Sequence, residues 1–98
     1  MSLLENLNKA FDHRVRLGIM SVLMVNEHAD FNTLKELLKV TDGNLASHLK
    51  ALEKEAFIII EKQFIDRKPN TKYSASSAGK KAFKNHIDAL ERIIKNQQ

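Results

Sequence analysis

The chain has no cysteine, one proline and three glycines in 98 residues. Without cysteine there are no disulfides, no thiolate metal sites and no cysteine nucleophile, a composition that suits a reducing compartment. Gly18, Gly43 and Gly79 stand far apart, so no glycine-rich loop can cradle a phosphate. No repeat, low-complexity tract or Pro/Gly linker divides the chain, and residues 1–98 read as one domain. No run approaches the ~18 apolar residues of a membrane span, and the opening MSLLENLNKAF has neither the basic nor the apolar region of a signal peptide. The expectation is a cytoplasmic protein with no membrane partner. A chain this short buries roughly 60–70% of its unfolded surface, enough for one core and little besides.

Charge is present but uneven. The net balance is +4, yet Lys62 to Lys84 holds seven basic residues and only one acid, Asp66, while the remainder is slightly acidic. A positive field gathered in one segment is the footprint of a protein that meets a polyanion. A solvated lysine-rich surface would give the same composition, so charge alone decides nothing.

Periodicity supplies the frame. Leu3, Leu4, Leu7, Ala10 and Phe11 form a helical stripe, and Asp12 reads as a cap or bend before the next element. Val15 to Val25 is apolar on all sides, the mark of a central buried helix. Phe31, Leu34, Leu37 and Leu38 define a short amphipathic helix, with Asn32 or Thr33 near its start. Thr41 suits the N-cap of a further helix over about 42–55, whose buried face is Leu45, Leu49 and Leu52. Its opposite face holds Gly43, Asn44, Ser47, Lys50, Ala51 and Lys54. FIIIEKQFI at 57–65 is the strongest strand signal, Asp66–Asn70 reads as a turn, and 71–75 as the returning strand. Ser76 caps a last helix running to about Lys95.

The fold class is therefore mainly α with a small β-wing. Helices pack around a central buried helix, beside a two- or three-stranded antiparallel sheet and a long C-terminal helix; a short strand near Phe31 would supply the third strand. Helix, turn, helix, basic hairpin and helix make a winged helix-turn-helix. Each part answers a need of duplex DNA, whose major groove of about 12 Å admits one α-helix. The helix at about 42–55 would enter that groove, and the wing at about 64–71 would meet the backbone or minor groove, where lysine and arginine gain from counterion release.

The strings RLGIM (16–20), TLKELLKVTDGNLASHLKALEKEAFI (33–58) and KYSASSAGKKAF (72–83) resemble the MarR/ArsR-type winged-helix regulators, closest to their small stand-alone members. The resemblance implies a homodimer on a pseudo-palindromic operator, contacted through Asn44, Ser47, His48 and Lys50, with Arg67 and Lys68 in the wing. Three departures matter. Ala56 replaces a usual glycine, so a positive φ there would cost about 1 kcal/mol. Ala75 replaces a large aliphatic, which would leave a shallow hollow. The cysteines of metal-sensing relatives are missing, so a thiolate switch of their kind cannot operate.

Site residues follow from face and chemistry together. Asn44 and Ser47 are base-contact candidates, although Asn44 also occupies the third position of a capped helix. Lys50 and Lys54, with Lys72 and the lysines of the last helix, are phosphate candidates. Tyr73 reads as a sheet-packing residue rather than a stacking platform. His13, His28, His48 and His86 lack the spacing of zinc pairs and read as unrelated imidazoles; His48 alone borders the DNA face. Asp42, Ser47 and His48 diverge on one helix and form no triad, so no enzyme, metal or cofactor is expected. In the last helix Phe83, Ile87, Leu90 and Ile94 make a stripe broader than packing on a small core requires. With Leu3, Leu4 and Leu7 it is the expected dimer interface. The competing reading is a winged-helix module for protein–protein assembly whose basic wing is incidental. No motif specifies a small-molecule effector, the operator, or repression against activation.

Overall fold

Arg14–Val25 form the first α-helix, α1, and the other elements are laid against it. In the computed structural model, which describes residues 2–96, there follow β1 (Ala29–Asp30), α2 (Phe31–Leu38), α3 (Asp42–Lys54), β2 (Ile58–Ile65), β3 (Lys68–Ala75) and α4 (Ser77–Lys95). Ile19, Met20 and Leu23 of α1 are fully buried, together with Leu34 of α2 and Leu45 and Leu52 of α3. Each such side chain contributes roughly 1.5–3 kcal/mol of burial. The helix is central but not wholly enclosed, because Leu17 and Val25 reach solvent.

Local chemistry sets the helix ends. Thr41 Oγ1 accepts the Asn44 N–H at 3.2 Å and starts α3, as its sequence position predicts. Ser76 does the same for α4, its Oγ accepting from Gly79 N–H at 2.9 Å while donating to the Ala56 carbonyl at 2.7 Å. Two caps differ from expectation. His13, not Asp12, caps α1, its Nδ1 accepting the Val15 N–H at 3.1 Å. Asp30, not Asn32 or Thr33, caps α2, its carboxylate accepting the Thr33 N–H at 2.8 Å. Bonds from the Thr33 backbone and then its side chain hold the Asp30 carboxyl below the usual carboxylate range.

The expected N-terminal helix over residues 3–11 is not formed. Turns lead into a single 3₁₀ turn, Lys9–Phe11, started by the Asn8 side chain accepting from Ala10 N–H. Asn8 spends its own N–H on His86 Nδ1 at 3.0 Å, which a continuing α-helix would have claimed. That bond pins the N-terminal segment to α4.

The sheet is antiparallel in the order β1-β3-β2, so the third strand lies at residues 29–30, just before Phe31. The turn is shorter than its sequence suggested. Ile65 pairs with Lys68, leaving only Asp66 and Arg67 between the strands, both with positive φ (50° and 66°) as a type I′ turn requires. Lys68, Pro69 and Asn70 thus belong to β3. Pro69 is tolerated there because β1 covers β3 only at Lys72 and Tyr73, and beyond them that edge carries no strand.

α4 approaches the end of α3 without a gap. A Cβ added at Gly79 would lie 2.0 Å from the Phe57 carbonyl oxygen, so only glycine permits this contact. Phe11, Phe57 and Phe83 close the core beneath α4, with Phe11 and Phe83 edge-to-face at 5.2 Å. The molecule measures 55 × 25 × 21 Å.

Candidate nucleic-acid interface

The outer row of α3 is the first component. Leu45, Leu49 and Leu52 lock one side of the helix into the core, which turns Gly43, Asn44, Ser47, Lys50 and Lys54 to solvent. Ser47, Lys50, Ala51 and Lys54, with Glu53 at the margin, line a shallow depression on that surface. The preceding turn fixes the angle of the row. Lys39 adopts a left-handed conformation (φ 53°) and closes α2 by donating its N–H to the Lys35 carbonyl. Lys35 Nζ lies 2.7 Å from Asp42 across the turn, an exposed pair that adds orientation more than stability.

The second component is the wing. Arg67 and Lys68 are exposed at its tip, as their sequence position predicts, and Lys62 lies three pairs further in, opposite Thr71. Lys72 sits lower, half-buried, with Nζ 3.9 Å from Glu61 on the neighbouring strand. Part of its charge is therefore met within the protomer. Tyr73 packs in the sheet, and burial, then the Glu53 carboxylate, raises its phenol above the usual value.

His48 occupies neither component. Its ring stacks on His13 at a centroid distance of 3.9 Å, joining the third helix to the cap of the first. The two imidazoles expected to be unrelated are thus partners, separated by too much sequence for any spacing rule to reveal them. Burial pushes the His48 pKa down, and the charges of His13 and Arg16 act in the same direction. Arg16 Nε is buried beside no hydrogen-bond partner among the described residues. His86 is also more than a surface imidazole, being buried against Phe11 with Nδ1 bonded to Asn8. No three His, Asp or Glu side chains among the described residues converge as a metal site would need. No helix of the described residues is long and apolar enough to cross a membrane.

The residues expected at a dimer interface fall into two groups. Leu3, Leu4, Ile87, Leu90 and Ile94 are exposed large apolar side chains, and Leu7 is half-buried. Phe83, by contrast, is spent within the protomer, packed on Phe11, and presents almost no surface to a partner. Phe64 is 78% exposed on the wing, and the run FIIIEKQFI that contains it signals only a strand.

A short helix and capped turn hold α3 with its polar row outward, beside a cationic β-hairpin. That arrangement defines a winged helix-turn-helix protein of the DNA-binding, transcription-regulator class. Comparison with known proteins agrees. Residues 15–94 match the family model described as winged helix DNA-binding domain. The chain belongs to that family. An uncharacterised protein of Methanocaldococcus jannaschii is 40% identical over 88 residues, spanning 90% of this chain and 96% of that protein. A transcriptional regulator homologue from Pyrococcus horikoshii superposes with a TM-score of 0.90 at 30% identity, over 100% of this chain and 99% of that one. The YusO protein of Bacillus subtilis shares the fold alone, with a TM-score of 0.78 at 14% identity over 97% of this chain and 67% of that one.

Proposed function

We propose that this protein binds specific duplex DNA as a homodimer and regulates transcription, with no catalytic step of its own. The observation that carries the reading is the exposed row Asn44, Ser47, Lys50 and Lys54 on a helix whose other side is locked in the core. In the proposed complex α3 lies in the major groove. Asn44 and Ser47 meet base edges there, and His48 acts from the margin of the helix. Lys50, Lys54 and Lys68 meet phosphates and Arg67 at the wing tip meets the backbone or minor groove, with Lys72 a weaker contributor because Glu61 already faces it. Leu3, Leu4, Leu7, Ile87, Leu90 and Ile94 close the dimer, where water now touches five large side chains. Residues 1–98 act as one unit in this reading, which needs neither metal nor cofactor.

Selection of bound duplexes from a random pool tests it. The expected outcome is a two-fold-related consensus bound with a steep salt dependence. Recovery of no sequence, with no salt-sensitive binding to any duplex, would leave assembly with another protein as the use of this fold.

A further inference from the structure

The two-residue turn places an unusual combination of side chains at the wing tip. Along β2 the side chains of Ile58 and Ile60 face the core, and Lys62 and Phe64 continue the same row beyond its edge. Pro69 pairs with Phe64, so the ring and the pyrrolidine lie together on one face. Ile65, half-exposed, sits on the other face opposite Lys68. Three cations, Lys62, Arg67 and Lys68, surround this apolar tip, and Asp66 is the only acid. The backbone adds a separate sign. Type I′ turns favour asparagine and glycine, yet Arg67 stands at φ 66°, a conformation that disfavours any residue with a Cβ. Backbone strain of this kind is retained where the side chain it carries has a use.

We propose that the wing tip is a minor-groove wedge. Arg67 enters the groove, and Phe64, backed by Pro69, presses on the sugar walls and base edges and bends the duplex. This rests on the DNA-binding reading above and adds to it a second mode of recognition, by groove width and deformability. Charge selects the occupant. A second copy of the wing would bring like charges together at the point of contact, whereas the minor groove offers apolar walls between two rows of phosphate. Narrow A·T-rich grooves concentrate negative potential and draw in arginine, and a wedge acts most easily at a flexible pyrimidine–purine step.

The test uses the full chain and a duplex recovered by selection, with bending read by energy transfer between its labelled ends. Phe64→Ser should weaken binding by about tenfold and abolish the bend, while base preferences under α3 persist. Phe64→Leu should restore most of both. Replacing A·T pairs beneath the wing by I·C pairs, which keep an A·T-like minor groove, should leave affinity intact, and G·C pairs should lower it. Equal affinity and bend in Phe64→Ser would overturn the wedge while the DNA-binding reading stands. So would a change in subunit count on the same substitution, since the ring would then be covering another copy. An unmodified protein that binds no duplex defeats the DNA-binding reading itself, and the wedge with it.

Discussion

Among the described residues four hold a positive φ, namely Lys39, Ala56, Asp66 and Arg67, and none of them is glycine. At Ala56 the side chain is exposed and the backbone merely turns from α3 into β2. Ala56→Gly should therefore stabilise the fold by up to about 1 kcal/mol, raising Tm by roughly 4–8 °C in a domain of this size. Gly79 is the reverse case. Its negative φ would suit alanine, but a methyl group there meets the Phe57 carbonyl at 2.0 Å, and Gly79→Ala should lose at least ~3 kcal/mol in a urea titration. His48 makes stability depend on pH. Its folded pKa lies below the unfolded value near 6.5, so the unfolded chain binds the proton more readily. Stability is full above about pH 6.5 and falls as pH drops through the folded value. His48→Gln should flatten that part of a plot of urea midpoint against pH, and an unchanged slope would mean that the His13 stack does not sense protons. Reading and clamping also separate at this scale. Ser47→Ala should cost about 1–3 kcal/mol on a selected operator and leave scrambled DNA unaffected, whereas Lys68→Ala should weaken both and reduce the salt slope by about one per protomer.

Elements whose signals are local and mutually supporting were legible in advance. Thr41 and Ser76 announce α3 and α4 because a hydroxyl and a nearby N–H settle the matter within four residues. The polar row of α3 and the basic wing tip could be named for the same reason. Elsewhere a distant partner decided the outcome. The N-terminal stripe has helical spacing, but Asn8 gives its N–H to His86, 78 positions away, and the helix does not form. Pro69 reads as a turn residue because proline is rare in central strands; β1 is only two residues long, and at Pro69 the strand is an edge. The contact of His13 with His48 leaves no trace in spacing. Phe83 and Ile87 fall on one stripe by their period, yet Phe11 claims the first and the second stays exposed. Elements that carry the candidate site were thus easier to see than the side chains that lock them together.

The whole molecule has a radius of gyration of 14.9 Å, above the ~13 Å of a compact domain of about this length. Its exposed Leu90 and Ile94 near the end of α4 lead to a prediction about assembly. Leu90→Asp with Ile94→Asp should convert dimers to monomers in light scattering without altering the fold, because neither side chain belongs to the protomer core. If the unmodified chain is monomeric at high micromolar concentration, the proposed interface is wrong.

The long axis has a mechanical meaning. Eight residues of β2 carry the wing about 26 Å from its base, and nineteen residues of α4 run about 28 Å from theirs. The molecule is 55 Å long, and the two arms meet where Ser76 and Gly79 grip the backbone of Ala56 and Phe57. Wing and last helix thus share one joint, a contact that admits no extra atom. A tilt of about 10° between mating helices, smaller than the ~15° rotations of switching oligomers, would carry each wing tip some 5 Å. Such a displacement is enough to lift a side chain out of a groove only about 6 Å wide. Distances between spin labels on the two wings of a dimer would record that angle directly, magnified by the arm that separates the joint from the tip.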